Sequence, residues 1–300
     1  MNAGRHALLL LLLAGCGGDE PAVEAPPSAA DQLVLGQAIA AMQAGRSYEV
    51  AGALAQLLAR DPPPAMAQML AGEAAYDLGK YAEAVERLSD AVRRLATYAP
   101  NATTLGFAHY KLGQFGEASA VFRSIVAARP DAYKAHYGLG LVALHEGRIE
   151  EARSALQEAL RLQPAYVKAR FAMGQLLQDE GRLDEAAEAL QAVLVEVPAH
   201  DQALFRLAQV REAQGRTDES AALLARQQQV YATKEELGGL QAAVRSGTDT
   251  PATWARIVLL NTRLGDDDEA RQALQAGLQR FPEAPDLVAL LTSPAPGAER

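Results

Sequence analysis

The only cysteine of the 300-residue chain, Cys16, follows a short basic start and an apolar run. Arg5 and His6 precede apolar residues 7–13, a run that is too short to cross a bilayer but has the length typical of an export signal. A deprotonated thiol is a nucleophile, and a single cysteine cannot form a disulfide within its own chain. Covalent modification is therefore the chemistry that this position can support.

Residues 13–16, with the sequence LAGC, resemble the lipobox of bacterial lipoproteins, where a leucine and two small residues precede a cysteine. Small side chains let the scissile backbone enter a signal peptidase, and the thiol accepts a diacylglycerol. The resemblance implies a signal peptide over residues 1–15, cleavage before Cys16, and a membrane anchor made by acylation of its thiol and new amine. The alternatives are an ordinary cleaved signal and a buried N-terminal helix.

The residues after the cysteine bear on where such a lipoprotein would reside. In lipoproteins of double-membraned bacteria, an aspartate directly after the cysteine favours retention in the inner membrane, whereas this chain has Gly17 there and Asp19 two residues later. The resemblance therefore implies the outer membrane, facing the periplasm, or the outer leaflet of the plasma membrane in a single-membrane bacterium. Residues 16–30 are rich in proline and poor in bulky apolar groups, which predicts a lipid anchor followed by a disordered tether.

Other patterns that could support chemistry fail on their context. Residues 138–143 (GLGLVA) match a dinucleotide-binding pattern, but that pattern needs a preceding strand, and here it lies within a predicted helix, where Gly140 serves close packing. The histidines lack the spacing of zinc ligands. The acidic run at 266–269 lacks the alternating ligands of a calcium loop and fits the capped start of a helix. We therefore predict no metal and no cofactor.

The net charge and the remaining sequence motifs argue against two classes of function, nucleic-acid binding and catalysis. The formal net charge is −9, and no basic stripe is visible, which argues against a nucleic-acid partner. No serine, threonine or cysteine lies in a recognisable nucleophile motif, and no residues remain for a catalytic domain once the tether and repeats are assigned. We predict that the protein is not an enzyme.

The strongest pattern in the chain is a glycine that recurs every 34 residues through six copies, followed by a seventh copy after one slip. A glutamate stands four residues after each of them. Repetition at this period predicts a stack of helical hairpins. The glycines are Gly45, Gly79, Gly113, Gly147, Gly181, Gly215 and Gly265.

The residues within one unit, 133–166, show how such a hairpin is built. Gly147 suits a left-handed turn after the first helix, and Glu151 suits the positive end of the second helix dipole. Ala152 is small where the helices cross, Gly140 is small on the first helix, and Pro164 stops the second helix. These positions resemble the tetratricopeptide repeat. The resemblance predicts an all-α fold, an α-solenoid superhelix of about seven tetratricopeptide hairpins.

The period divides the chain into segments. Six contiguous units are predicted over 31–234, an extra helix or spacer over 235–250, a seventh unit over 251–284, and a short cap with a loose tail over 285–300. The spacer carries Leu237, Leu240 and Val244 at helical spacing, and residues 246–251 have the composition of a turn.

In tetratricopeptide proteins, the first helices line a concave groove that binds a peptide or a partner helix. Tyr137, Phe171 and Phe205 recur at one repeat position, and a row of rings suits peptide binding because rings bury a large area. The alternative is that these rings pack against the neighbouring unit. Carried over by position, the predicted groove residues are Met69, Tyr76, Phe107, Tyr110, Lys134, Tyr137, Leu141, Lys168, Phe171 and Phe205.

Two functional hypotheses follow. The first is a lipid-anchored scaffold or adaptor that binds protein or peptide partners of the cell envelope in the groove. The second is a glycan-binding or non-catalytic accessory subunit of a polysaccharide export or cell-wall system.

Overall fold

The computed structural model describes residues 27–95 and 102–292, and within them every regular element is an α-helix. The all-α fold class is confirmed. The predicted signal peptide, Cys16 and most of the tether lie outside the described residues. Numbered in chain order, the described helices are α1 (Ala29–Gln43), α2 (Ser47–Ala53), α3 (Ala55–Leu58), α4 (Ala65–Asp77), α5 (Tyr81–Arg94), α6 (Thr103–Lys111), α7 (Phe115–Ala128), α8 (Tyr133–His145), α9 (Ile149–Leu162), α10 (Val167–Asp179), α11 (Leu183–Glu196), α12 (Asp201–Ala213), α13 (Thr217–Ser246), α14 (Pro251–Leu264), α15 (Asp267–Arg280) and α16 (Pro285–Thr292).

The chain divides into two compact units between Ala169 and Arg170. We call the described residues up to Ala169 the N-terminal unit and those from Arg170 the C-terminal unit. Within each unit, neighbouring helices pair as hairpins, for example α8 with α9 and α12 with α13. No helix in the described ranges has both the length and the apolar character needed to cross a bilayer.

The repeated glycine forms the turn of every hairpin. All seven glycines have positive φ, from 68° at Gly45 to 81° at Gly265. A side chain with a Cβ is strained in this left-handed region, which explains the choice of glycine. The glutamate four residues later lies in the first turn of the following helix, as at Glu151 in α9.

The two helices of a hairpin approach closely where the sequence has its small residues. The crossing alanines are buried, with Ala84, Ala118, Ala152 and Ala186 at 0% exposure. On the opposing first helix, a Cβ added to Gly140 would lie 2.9 Å from Leu156, which is itself fully buried. Gly140 of the supposed dinucleotide pattern is therefore a packing residue inside α8, as predicted.

The stop prolines act as predicted. Helices α7, α9, α11 and α15 each end two residues before a proline. The residue that precedes each of these prolines has φ between −139° and −130° and leaves the helical region. The cause is the proline ring, which clashes with a helical residue on its N-terminal side.

The predicted separate helix in 235–250 is wrong. Residues 235–246 instead continue the second helix of the sixth hairpin, so that α13 runs for 30 residues. Ala232 permits this continuation, because it occupies the repeat position where five other units have the stop proline. The lack of a proline is not sufficient by itself, since α5 ends at Arg94 although Ala96 occupies the same position in the second unit. The predicted apolar stripe of this segment is confirmed, because Leu237, Leu240 and Val244 pack against a core that contains Ile257 and Val258.

The turn predicted at 246–251 is also confirmed, and it starts the last hairpin. Gly247 ends α13 with φ of 72°, and Thr250 caps α14 through reciprocal hydrogen bonds with Thr253. Between them, buried Asp249 accepts hydrogen bonds through Oδ2 from Trp254 Nε1 at 2.7 Å and pairs with Arg280 Nε at 2.8 Å. These contacts tie the turn to both helices of the hairpin.

Candidate functional site

A band of aromatic rings runs across the first helices of the N-terminal unit. Phe107 and Tyr137 lie with ring centroids 5.9 Å apart, Tyr137 and Tyr166 lie 5.3 Å apart, and Tyr133 and Tyr166 lie 4.9 Å apart. We call this band the aromatic stripe. It consists of Tyr76, Phe107, Tyr110, Tyr133, Tyr137 and Tyr166.

Rings at the start of the second helices support the stripe from one side. Tyr81, the first residue of α5, lies 5.5 Å from Tyr76 in α4. Phe115, the first residue of α7, lies 5.5 Å from Tyr110 in α6 and stacks at 3.7 Å on His145. Each pair spans a glycine turn, so the turn that makes the hairpin also fixes the position of the ring.

The rings of the stripe are half-buried. Its rings pack against neighbours and keep part of their surface in solvent. Burial, together with neighbouring tyrosines, raises the pKa of Tyr166 to about 12 and raises the pKa of Tyr137 still further. Burial also raises the pKa of Tyr76 and Tyr110. These hydroxyls are therefore neutral at physiological pH and can donate a hydrogen bond to a partner.

The other predicted groove residues of this unit differ in exposure. Met69 is half-buried and packs against the core, and Leu141 is also half-buried. Lys134 and Lys168 are exposed. The Nζ of Lys134 lies 6.0 Å from the ring centroid of Tyr133, at the outer limit for a cation–π contact. Lys134 therefore places a positive charge at the edge of the stripe.

Phe171 and Phe205 belong to the C-terminal unit and line a different site. Phe171 lies 4.9 Å from the ring of His200, and Phe205 is 42% exposed. Together they line an open cavity of about 580 Å³ between α10, α12 and α13. We call this cavity the amide pocket, because four of its lining side chains are glutamines. It is lined by Phe171, Gln175, Gln202, Phe205, Arg206, Gln209, Gln227 and Tyr231.

Sequence reasoning missed Tyr133, Tyr166 and the glutamines. Tyr166 lies just before α10, whereas the positions carried over from the repeat lie within the helices. A signal for the stripe was present, because 11 of the 16 aromatic residues fall between positions 76 and 171. The glutamines carried no such signal, since a polar residue on an exposed helix face is unremarkable until its neighbours in space are known.

The acidic run at 266–269 begins helix α15. Asp267, Asp268 and Glu269 lie in its first turn, but the N-cap residue Asp266 makes no side-chain capping bond. Burial raises the pKa of Asp266. Within the described ranges, no three His, Cys, Asp or Glu side chains lie close enough together to hold a metal ion.

Comparison with known families agrees with the hairpin geometry. A tetratricopeptide repeat model matches residues 35–100, 103–167 and 171–229, and a second model of the same description matches residues 143–197. These segments make up more than half of the chain, and the chain belongs to the tetratricopeptide repeat family. Repeats of this family form scaffolds for protein–protein interaction that are generally non-catalytic.

A solved structure shows the same fold at low sequence identity. A chain in the crystal structure of the APC/C hetero-tetramer Cut9-Hcn1 matches with a TM-score of 0.58 and 15% identity, over 86% of this chain and 48% of that one. A crystal structure of MamA matches with a TM-score of 0.47 and 20% identity, over 55% of this chain and 96% of that one. MamA 41-end from Desulfovibrio magneticus RS-1 matches with a TM-score of 0.47 and 20% identity, over 56% of this chain and 95% of that one. No match was found among curated proteins.

Proposed function

We propose that the protein is a lipid-anchored adaptor of the bacterial cell envelope that holds a protein or peptide partner on its aromatic stripe. The observation that carries the proposal is the stripe itself, a set of half-buried rings on and beside the first helices of a repeat scaffold. The lipobox-like sequence ending at Cys16 supports the anchor and the envelope location.

The stripe suits a protein partner because its rings are already held in place. Each ring contacts at least one other aromatic ring, so little side-chain freedom is lost when a partner docks. The exposed part of each ring offers apolar area, and the neutral tyrosine hydroxyls offer hydrogen bonds at the edges. Aromatic residues of this kind contribute much of the binding energy at protein interfaces.

A site-specific crosslinking experiment in living cells tests the adaptor. A photoreactive residue placed at Lys134, at the exposed edge of the stripe, should capture a discrete set of envelope proteins. Combining it with Tyr137→Ala should reduce capture about tenfold or more, because losing a central ring from an interface typically costs 2 kcal/mol or more. Circular dichroism checks that the variant keeps its helical content.

The matched control places the same photoreactive residue at Tyr48 in α2. Like Lys134, Tyr48 is an exposed residue of the N-terminal unit, at 64% exposure, but it lies outside the stripe. Identical captured proteins from both positions, or undiminished capture after Tyr137→Ala in a folded protein, would show that the stripe is not the docking surface.

A further inference from the structure

The walls of the amide pocket have a composition unlike that of the aromatic stripe. They consist of four glutamine side chains, three aromatic rings and one arginine. No aliphatic side chain and no carboxylate is among these eight lining residues. The cavity of about 580 Å³ falls within the size range of pockets that bind small molecules.

Most of the amide groups in the pocket remain available to a ligand. Gln209 accepts a hydrogen bond from Gln178 at 3.3 Å. By contrast, Gln175, Gln202 and Gln227 have no hydrogen-bond partner among the described residues. A primary amide has two donor hydrogens and an acceptor oxygen on one planar group. A hydroxyl group, which both donates and accepts, is matched by such an amide.

The rings of the pocket are open to solvent. Phe205 is 42% exposed, and Tyr231 on α13 is 55% exposed. Exposed rings bordering a polar cavity provide flat apolar faces beside hydrogen-bonding groups. The apolar C–H face of a pyranose ring stacks on such a face while its hydroxyls reach the surrounding amides.

The charge of the pocket also restricts its ligand. The one ionic side chain, Arg206, donates a hydrogen bond to the amide oxygen of Gln178 at 3.3 Å. A lining with one arginine and no carboxylate does not favour a cationic ligand.

The long helix α13 supplies one wall of the pocket. Tyr231 comes four positions after Gln227, so the two residues lie on one face of this helix. In the third, fourth and fifth units, the position of Tyr231 falls beyond the end of the second helix, just before the stop proline. Ala232 lets α13 continue, so Tyr231 is held in helical conformation at the cavity.

From this geometry we propose that the amide pocket of the C-terminal unit binds an oligosaccharide that carries no cationic group. A sugar ring stacks on Phe205 or Tyr231, and the free amides of Gln175, Gln202 and Gln227 hold its hydroxyls. This site shares no residue with the aromatic stripe. It adds a second ligand class to the protein. The proposal does not depend on the adaptor function, and each can be tested without the other.

A glycan array tests the proposal. The purified full chain should bind a subset of neutral or acidic oligosaccharides, and no cationic one, on an array that displays all three classes. Calorimetry with the best-bound oligosaccharide should show saturable binding. Tyr231→Ala and Gln227→Ala should each weaken it about tenfold, a loss of 1.4 kcal/mol. Tyr231→Phe keeps the ring and should bind nearly as well as the unaltered chain.

Gln241→Ala is the matched control, because Gln241 is an exposed glutamine on the same helix outside the pocket. It should leave the affinity unchanged. The altered side chains are at least partly exposed, so each variant is expected to fold, and thermal unfolding verifies this. The proposal is overturned if no glycan binds, if binding survives Gln227→Ala unchanged, or if a displayed peptide library yields the ligand that these variants abolish.

Discussion

Phe122 is the largest fully buried side chain in the described part of the molecule, and two glycines make room for it. A Cβ added at Gly106 would lie 2.5 Å from its ring, and one added at Gly138 would lie 2.3 Å away. The equivalent position in neighbouring units holds a leucine, as at Leu88 and Leu156. The ring and the second glycine are therefore adapted to each other.

Gly138→Ala should lower the free energy of unfolding, although alanine favours a helix by about 1 kcal/mol over glycine. The new methyl group would overlap the ring of Phe122, and overpacking of a core costs about 1–3 kcal/mol. Urea unfolding followed by circular dichroism measures the change. Gly36→Ala is the control, because nothing lies within 4 Å of that position, and it should be neutral or stabilising.

A double variant separates this overlap from other causes. Phe122→Leu alone leaves a cavity, which costs free energy. Combined with Gly138→Ala, it should be less destabilising than the sum of the two single changes, because the added methyl then fills vacated space. Additive effects would mean that the two positions do not interact.

The helical elements follow from local sequence to a large extent. Glycine with positive φ, glutamate in the first turn, and proline two residues past the end define most hairpins, and all three signals were readable in the chain. They are readable because each unit buries its apolar face only against adjacent units. The exception is α13. Residues 235–250 were predicted to contain a separate helix, but residues 235–246 continue the preceding one.

Ala232→Pro should interrupt α13. A proline there removes the hydrogen bond to the carbonyl of Gln228 and clashes with it, which costs about 3 kcal/mol. Hydrogen exchange should show lost protection over residues 233–246, and the amide pocket should lose Tyr231 as a wall. Thr217→Pro is the control, since the first position of a helix tolerates proline. Unchanged exchange after Ala232→Pro would contradict the role assigned to Ala232.

The candidate sites were predicted less completely than the helices. Position within a repeat identified Tyr76, Phe107, Tyr110 and Tyr137, because that position depends on the period alone. The contribution of Tyr166 and the grouping of Phe205 with four glutamines depend on which helices pack together. Side chains from three helices meet at the amide pocket, and such a meeting has no signature in a single stretch of sequence.

For the whole molecule, the proposed anchor depends on one atom, the sulfur of Cys16. Cys16→Ala removes the thiol that would accept lipid, so the protein should move from the membrane fraction to the soluble fraction. Gly15→Ala keeps a small residue before the cysteine and should remain membrane-bound. Fractionation measures both variants, and mass spectrometry of the N-terminal peptide measures the acyl chains. Membrane retention of Cys16→Ala equal to that of the unaltered chain would exclude the anchor.

A substitution at the proposed anchor should not affect ligand binding, and a substitution in the amide pocket should not affect membrane binding. Cys16→Ala should leave the oligosaccharide affinity of the purified protein unchanged, because the amide pocket begins at Phe171, far along the chain from the proposed anchor. Tyr231→Ala should in turn leave fractionation unchanged. Each function is thus assigned to a distinct part of the chain.

The fit between Phe122 and Gly138 also restricts how this gene could have been rearranged. Because the units share a period of 34 residues and the same turn residues, recombination could delete or duplicate a whole unit without changing the period. Excision of residues 133–166, however, would replace Gly138 with Ala172 and set a methyl group against the ring. Units 99–132 and 133–166 are therefore matched to each other at this contact, and a deletion that separates them should lower stability even though the reading frame and the period survive.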